Sequence, residues 1–224
     1  MHTLLERDSQ LRLTAFLNGI GDVLGHDSRR ASFATYAMGL LSDAERKSIE
    51  PIAARSCADV ERMDAVHQRL HHFVTDSPWS DHEVRLAAAR YGLEALSARE
   101  SIESWQIDDT GFLKQGVHSV GVQRQYTGSA GKIANCQIGV SLTVATRTEQ
   151  LPIDFELYLP KSWTDSPERR AEAHVPEDAI FKTKVQQACD MIRRAVADDI
   201  HRCSTKLQAC SPRPSSQPTR CSTM

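Results

Sequence analysis

Val60, Met63, Val66, Leu70 and Phe73 recur at steps of three and four residues, the spacing that lines one face of a helix with apolar side chains. Ser80-x-x-Glu83 then has capping-box form, in which the serine oxygen takes one orphan backbone donor and the glutamate reaches back to another. Val84, Ala87, Ala88 and Tyr91 repeat the helical step after it, and Ser42-x-x-Glu45 carries the same signature earlier. The first hundred residues therefore read as helical, with Pro78 closing the helix that precedes the second cap.

Beyond residue 101 the period changes to two. Cys136, Ile138, Val140, Leu142 and Val144 alternate with Gln137, Gly139, Ser141 and Thr143, as a strand with one buried face does. Leu151, Ile153, Phe155, Leu157 and Leu159 alternate as cleanly, which sends Asp154 and Glu156 to the solvent face. With Trp105 to Asp108 this predicts three successive strands. Pro176, at a first helical position, opens a helix whose stripe is Phe181, Val185, Cys189, Ile192 and Val196. The expected class is α+β: a helical domain over 1–100, a three-strand meander plus helix over 101–200, and a tail over 201–224. That tail has three prolines, three cysteines and no acidic residue, and it lacks the apolar surface to order itself.

The chain has 224 residues and a formal net charge of -2, enough length for a sizeable core and too little charge to coat nucleic acid by bulk electrostatics. A local basic face is compatible with that balance. No run of about 18 apolar residues occurs, so no membrane span is expected, and the polar N-terminus reads as cytoplasmic. The six cysteines form no C-x-x-C pair and read as reduced, structural thiols.

Candidate chemistry concentrates after Trp105, where a short apolar approach ends in Asp108 and Asp109 before a turn. Carboxylates at a strand end suit a hard divalent cation such as Mg2+, which takes oxygen ligands and usually only one or two from carboxylates. From Thr110 to Thr148 there are four basic residues, Lys114, Arg124, Lys132 and Arg147, and no acid. Lys114, Arg124 and Lys132 are candidate phosphate contacts, with a solvated basic face as the competing reading. Gly128-Ser-Ala-Gly-Lys132 lacks the Ser/Thr and the following helix of a phosphate-cradling loop and reads as a hairpin turn. His67, His71 and His72 read as surface residues, and Trp163 as a packing anchor.

Several phrases carry a resemblance. They are Gly39-Leu-Leu-Ser to Arg46-Lys-Ser-Ile-Glu-Pro-Ile-Ala, Phe73-Val-Thr-Asp-Ser-Pro-Trp-Ser, Ile107-Asp-Asp-Thr-Gly-Phe to Lys114-Gln-Gly, and Gly116-Val-His-Ser-Val-Gly-Val-Gln-Arg-Gln-Tyr. Gly128-Ser-Ala-Gly-Lys-Ile-Ala-Asn-Cys-Gln, Leu157-Tyr-Leu-Pro-Lys-Ser-Trp and Pro176-Glu-Asp-Ala-Ile-Phe-Lys-Thr-Lys complete the set. In this order they resemble the bacterial transposases of insertion sequence family 701, members of the DDE group with an RNase H-like catalytic domain.

The resemblance implies DNA cleavage at transposon ends and strand transfer, with Mg2+ or Mn2+ held by three acidic side chains. The first acid falls on the Asp-Asp-Thr-Gly motif, with Asp109 the preferred carry-over and Asp108 its neighbour or alternative. The implied second and third acids have no counterpart, since Asp198 and Asp199 read as a helix end and loop. The expectation is an incomplete RNase H-like domain in a truncated or frameshifted, catalytically incomplete form. Transposon-end DNA and a homo-oligomer or full-length transposase are the implied partners. The alternative is a non-catalytic DNA-binding or subunit-binding inhibitor of a full-length transposase.

Overall fold

A computed structural model describes residues 2–200; the tail expected over 201–224, with Cys203, Cys210 and Cys221, lies outside the described residues. Five helices come first: α1 (His2–Leu24), α2 (Asp27–Leu41), α3 (Ile49–Ser56), α4 (Val60–Thr75) and α5 (Asp81–Ser97). Of the predicted α4 stripe, Leu70 and Phe73 are buried and Val66 packs beside Leu70, while the Val60 side chain is not among those described. Leu70 joins Ile52 and Ala53 of α3 in one small core, and Phe73 joins Ile20 and Leu24 of α1 in another. Ser80 caps α5 as predicted, its oxygen accepting from the Glu83 N–H at 3.2 Å. Ser42 does not begin a helix. It ends α2, and its hydroxyl donates to the Gly39 carbonyl at 2.7 Å, because α3 starts only after Ser48.

α5 is apolar on two sides. Val84, Ala87 and Ala88 pack into the α1/α4 core, whereas Leu86, Ala89, Leu93 and Leu96 pack against the sheet. The helical region and the sheet thus share this element.

The sheet has four strands where the sequence predicts three: β1 (Ser104–Leu113), β2 (Gln123–Thr127), β3 (Lys132–Ala145) and β4 (Gln150–Tyr158). All pairings are antiparallel. β3 is the central strand, with β1 along one edge and β2 followed by β4 along the other, since Cys136 faces both Leu113 and Gln123 while Val140 faces both Asp109 and Glu156. The polar sequence Gln-Arg-Gln-Tyr-Thr hides β2 from a periodicity test; its partner strand, not its own pattern, makes it extended. The even positions of β3 from Cys136 to Val144 are buried as predicted, each such aliphatic worth about 2 kcal/mol.

β4 departs from its predicted face. Leu142 pairs with Asp154 but Thr143 pairs with Pro152, so Ile153 is an extra residue, a bulge that flips the alternation. Ile153 is buried and Asp154 turns inward with it, only 8% exposed, while Phe155 turns outward at 53%. Asp154 and Glu156 therefore face the helices instead of solvent.

After the short helices α6 (Lys161–Thr164) and α7 (Pro167–Glu172), the last helix is α8 (Lys184–Ala197). It does not open at Pro176. Thr183 caps it in a full capping box with Gln186, and the chain from 176 to 183 is non-helical. Its buried face is Gln187, Met191 and Ala195, whereas Val185, Cys189 and Val196 of the predicted stripe are exposed and only Ile192 packs on the core.

Asp154 is the reason α8 sits this way up. Its carboxylate is clamped between Arg85 of α5 and Arg194 of α8, the latter with Nη2 2.9 Å from Oδ2. Arg194 also reaches Glu156 at 3.2 Å. Burial opposes the Arg194 charge, but Asp154 and Glu156 outweigh it and raise its pKa above the usual value.

Asp154→Ala leaves two half-buried guanidiniums without their shared anion and is expected to cost about 3 kcal/mol, near the low end for breaking a buried pair because both arginines keep some water. Removing the exposed Arg99–Glu149 pair by Arg99→Ala is expected to cost under about 1 kcal/mol. Urea unfolding of the two variants measures the difference, and equal costs would refute the clamp.

Candidate functional site

The aspartates do not close a strand before a turn as expected: pairing with β3 carries β1 on to Leu113, so both lie within it and strand alternation separates them. Asp108 lies opposite Ser141 and Asp109 opposite Val140, so their side chains leave opposite faces of the sheet. Asp108 points to the face opposite α5 and α8, and its Oδ1 accepts the Asp109 N–H at 2.8 Å. Asp109 points to the helix side, where its Oδ2 accepts from Lys184 Nζ at 2.7 Å, both side chains about two-fifths exposed. Among the described residues no three His, Cys, Asp or Glu side chains gather as a metal-binding group. Glu156 shares the Asp109 face but lies two strand spacings away, roughly 10 Å, and is held by Arg194 and Lys182.

Lys184 is the residue that sequence reading missed. It is the first residue of α8, fixed by the reciprocal bonds of the capping box: Thr183 N–H to Gln186 Oε1 at 2.8 Å and Gln186 N–H to Thr183 Oγ1 at 3.2 Å. The Thr-x-x-Gln pattern at 183–186 is a helix-start signal that marks this position. One turn on, buried Gln187 donates to the Leu157 carbonyl at 3.0 Å and pins α8 to β4. Around Lys184 Nζ lie the Tyr158 ring, centroid 5.6 Å away, then Phe181 edge-on to Tyr158, then Lys161 at 5.3 Å from the Phe181 centroid. A band of cations and aromatic faces thus runs outward from Asp109.

The Thr-Gly that follows the aspartates has a steric role. A Cβ on Gly111 would fall 1.8 Å from Thr127 Oγ1, because the tip of the β2–β3 hairpin folds over β1. Ser129 Oγ donates to the Gly111 carbonyl at 2.7 Å and bonds Thr127 Oγ1 at 2.9 Å, and Thr127 is buried. The turn 128–131 is a hairpin connection as expected, with Gly131 at φ 63°.

The three predicted basic contacts split. Lys114 and Arg124 flank Asn135 of β3 from its two sides, the Lys114 N–H donating to the Asn135 carbonyl at 2.9 Å and Arg124 lying opposite in register. Asn135 Nδ2 in turn holds the carbonyls of Lys114 and Gly116. Lys132 opens β3 beside Thr127, one position out of phase with Asn135 parity and so on the other face. Lys114 is five residues along β1 from Asp109, about 17 Å. His67, His71 and His72 are half-buried or exposed, and Trp163 is buried with its Nε1 donating to the Val122 carbonyl at 2.9 Å, a packing anchor as expected.

Comparison with known proteins places this geometry in context. The model of a family described as DDE superfamily endonuclease matches residues 19–203. The chain is 30% identical over 171 residues to the probable transposase for insertion sequence element IS701 of Microchaete diplosiphon, covering 76% of this chain and 42% of that protein. The chain thus spans about two fifths of the length of that relative. No helix among the described residues is long and apolar enough to cross a membrane.

Gly111→Ala is expected to displace the hairpin tip and cost about 1–3 kcal/mol, the usual penalty for overpacking, with the Thr127 and Ser129 amide shifts moving in NMR spectra; an unperturbed tip would refute the contact. Beside the site, the Lys182 hydrogen bond holds the Asp190 carboxyl below its ordinary 3.8, and the same bond, aided by Glu156, holds Lys182 above its ordinary 10.5. The Asp190 contribution to stability is then present above pH 3.8 and lost as pH falls through its depressed value, and that of Lys182 is lost only as pH rises through its raised one. The stability gap between the parent and Asp190→Asn should be flat from about pH 5 to about pH 9 and close on the acid side. A gap that persists in acid would exclude the pair as its cause.

Proposed function

We propose, from the premise that the chain belongs to the DDE superfamily endonuclease family, that it is a transposase part in which Asp109 is the first catalytic carboxylate. Its substrate is DNA at transposon ends, in the bacterial cytoplasm. The observation that carries this reading is the position of Asp109 on β1, on the helix-covered face, with a cation–aromatic band beside it. Asp108 faces away and takes the supporting role of capping the Asp109 N–H.

The donor chemistry fits a divalent cation, Mg2+ or Mn2+: Asp109 offers a partly exposed carboxylate oxygen, and Mg2+ is commonly held by one or two carboxylates together with substrate phosphates. Such a cation supplies charge stabilisation for an in-line displacement at phosphorus. The chain's own residues supply the charge that meets the DNA. Lys184 and Lys161 offer positive charge to the DNA backbone near Asp109, and Lys114, Arg124 and Lys132 offer it along the far end of the sheet. Phosphate contacts of this kind position the duplex and carry no sequence information.

The Lys184 contact on Asp109 favours a second reading, a DNA-binding or subunit-binding protein that occupies transposon ends or a full-length transposase without cutting.

A nicking assay on end-bearing DNA with Mg2+ or Mn2+ separates the two. For whatever nicking the parent chain supports, Asp109→Ala should lower the rate by roughly 10²–10³-fold, the scale for losing one electrostatic stabiliser, while Asp108→Ala should retain most of it. Equal loss in both variants, or full activity in Asp109→Ala, would overturn the assignment. Salt-sensitive binding of end-bearing DNA without nicking would favour the second reading.

A further inference from the structure

Lys184 stands where a cation is electrostatically disfavoured. It is the first residue of α8, and the N-terminus of a helix carries the equivalent of about half a positive charge, which favours anions. Its backbone is fixed there by the Thr183–Gln186 capping box, and the following turn is pinned by Gln187 on the Leu157 carbonyl. The ammonium nevertheless turns toward the sheet and ends 2.7 Å from Asp109 Oδ2. The partner that compensates its placement is that carboxylate.

We infer that Lys184 is the resident counter-ion of Asp109 and competes with divalent cations for the same oxygen. The inference rests on the proposed function, because it takes Asp109 as a metal-binding carboxylate. Both side chains are about two-fifths exposed, so the ion pair is open to exchange with solvent ions. Oδ2 is the oxygen the lysine occupies, and a divalent cation approaching it meets both the ammonium and the positive end of α8. Loading of that oxygen therefore competes with Nζ. While paired with Asp109, Nζ already lies 5.6 Å from the centroid of the Tyr158 ring on the same face. An apo site is thereby kept neutral by the chain itself, and the lysine sets how much free cation is needed to fill it.

The test is a Mn2+ titration of the full chain followed by paramagnetic broadening of the Asp109 and Val140 amide signals in NMR, a readout independent of activity and sensitive to weak binding. Four variants accompany the parent: Lys184→Gln, Lys184→Arg, Asp109→Asn and the Lys184→Gln/Asp109→Asn double. Removal of one like charge at about 4 Å in water should lower the Mn2+ concentration for half-broadening at least ~5-fold in Lys184→Gln, while Lys184→Arg, which keeps the charge, should resemble the parent. A Lys184→Gln protein that needs as much Mn2+ as the parent, or more, overturns the inference, as does an absence of broadening in both. If broadening persists in the two proteins carrying Asp109→Asn, Asp109 is not the ligand, and the proposed function fails on its own account. Broadening that depends on Asp109 but is indifferent to residue 184 leaves the function standing and removes Lys184 from it. Thermal unfolding of each variant checks that the exposed substitutions leave the fold intact.

Discussion

The buried carboxylate of Asp154 is the constraint on which the arrangement of this molecule turns. Taking a charge out of water costs several kcal/mol, and the cost is offset only when partners are placed well. Two arginines from different elements meet it, Arg85 from α5 and Arg194 from α8, so one anion ties the helical region, the sheet and the last helix together. Glu156, Lys182 and Asp190 extend the network along α8. Replacing such a network with aliphatic residues would often be as stable; what the charges add here is direction, because α8 cannot rotate or slide without leaving one of them unpaired.

That direction reaches the candidate site. α8 is held at its C-terminal half by Arg194 and at its first turns by Gln187 and the Thr183 cap, and its first residue is thereby set over Asp109. From the other side, β1 is fixed by its register with β3 and by the hairpin tip that occupies the space above Gly111. The Asp109–Lys184 contact is therefore the meeting point of two independently anchored elements. Contacts of that kind are well defined in position yet exposed enough to respond to ions or to a nucleic-acid backbone.

The family match runs from 19 to 203, across the helical region as well as the sheet, which agrees with the sharing of α5 between the two apolar cores. The helices are thus more than an appendage to the sheet. α5 presents Val84, Ala87 and Ala88 to α1 and α4 on one side, and on the other it presents Arg85, Ala89 and Leu96 to the strands and α8.

Local order was legible in the amino-acid sequence wherever a single element faces a single environment. α4, the Ser80 cap of α5 and the alternation of β3 follow from their own residues, because a helix stripe or a strand face records which side is buried. Asp109 was legible as a candidate through its motif. Tertiary structure decided what depends on two segments at once. β2 is extended because β3 pairs with it, and the bulge at Ile153 turns Asp154 and Glu156 inward because two arginines, 69 and 40 residues distant, are there to receive the first of them. The divergence of Asp108 and Asp109 belongs to the same class: adjacent carboxylates look equivalent in a sequence, but in a strand they point to opposite faces, and only the packing of α8 sets Lys184 beside one of them.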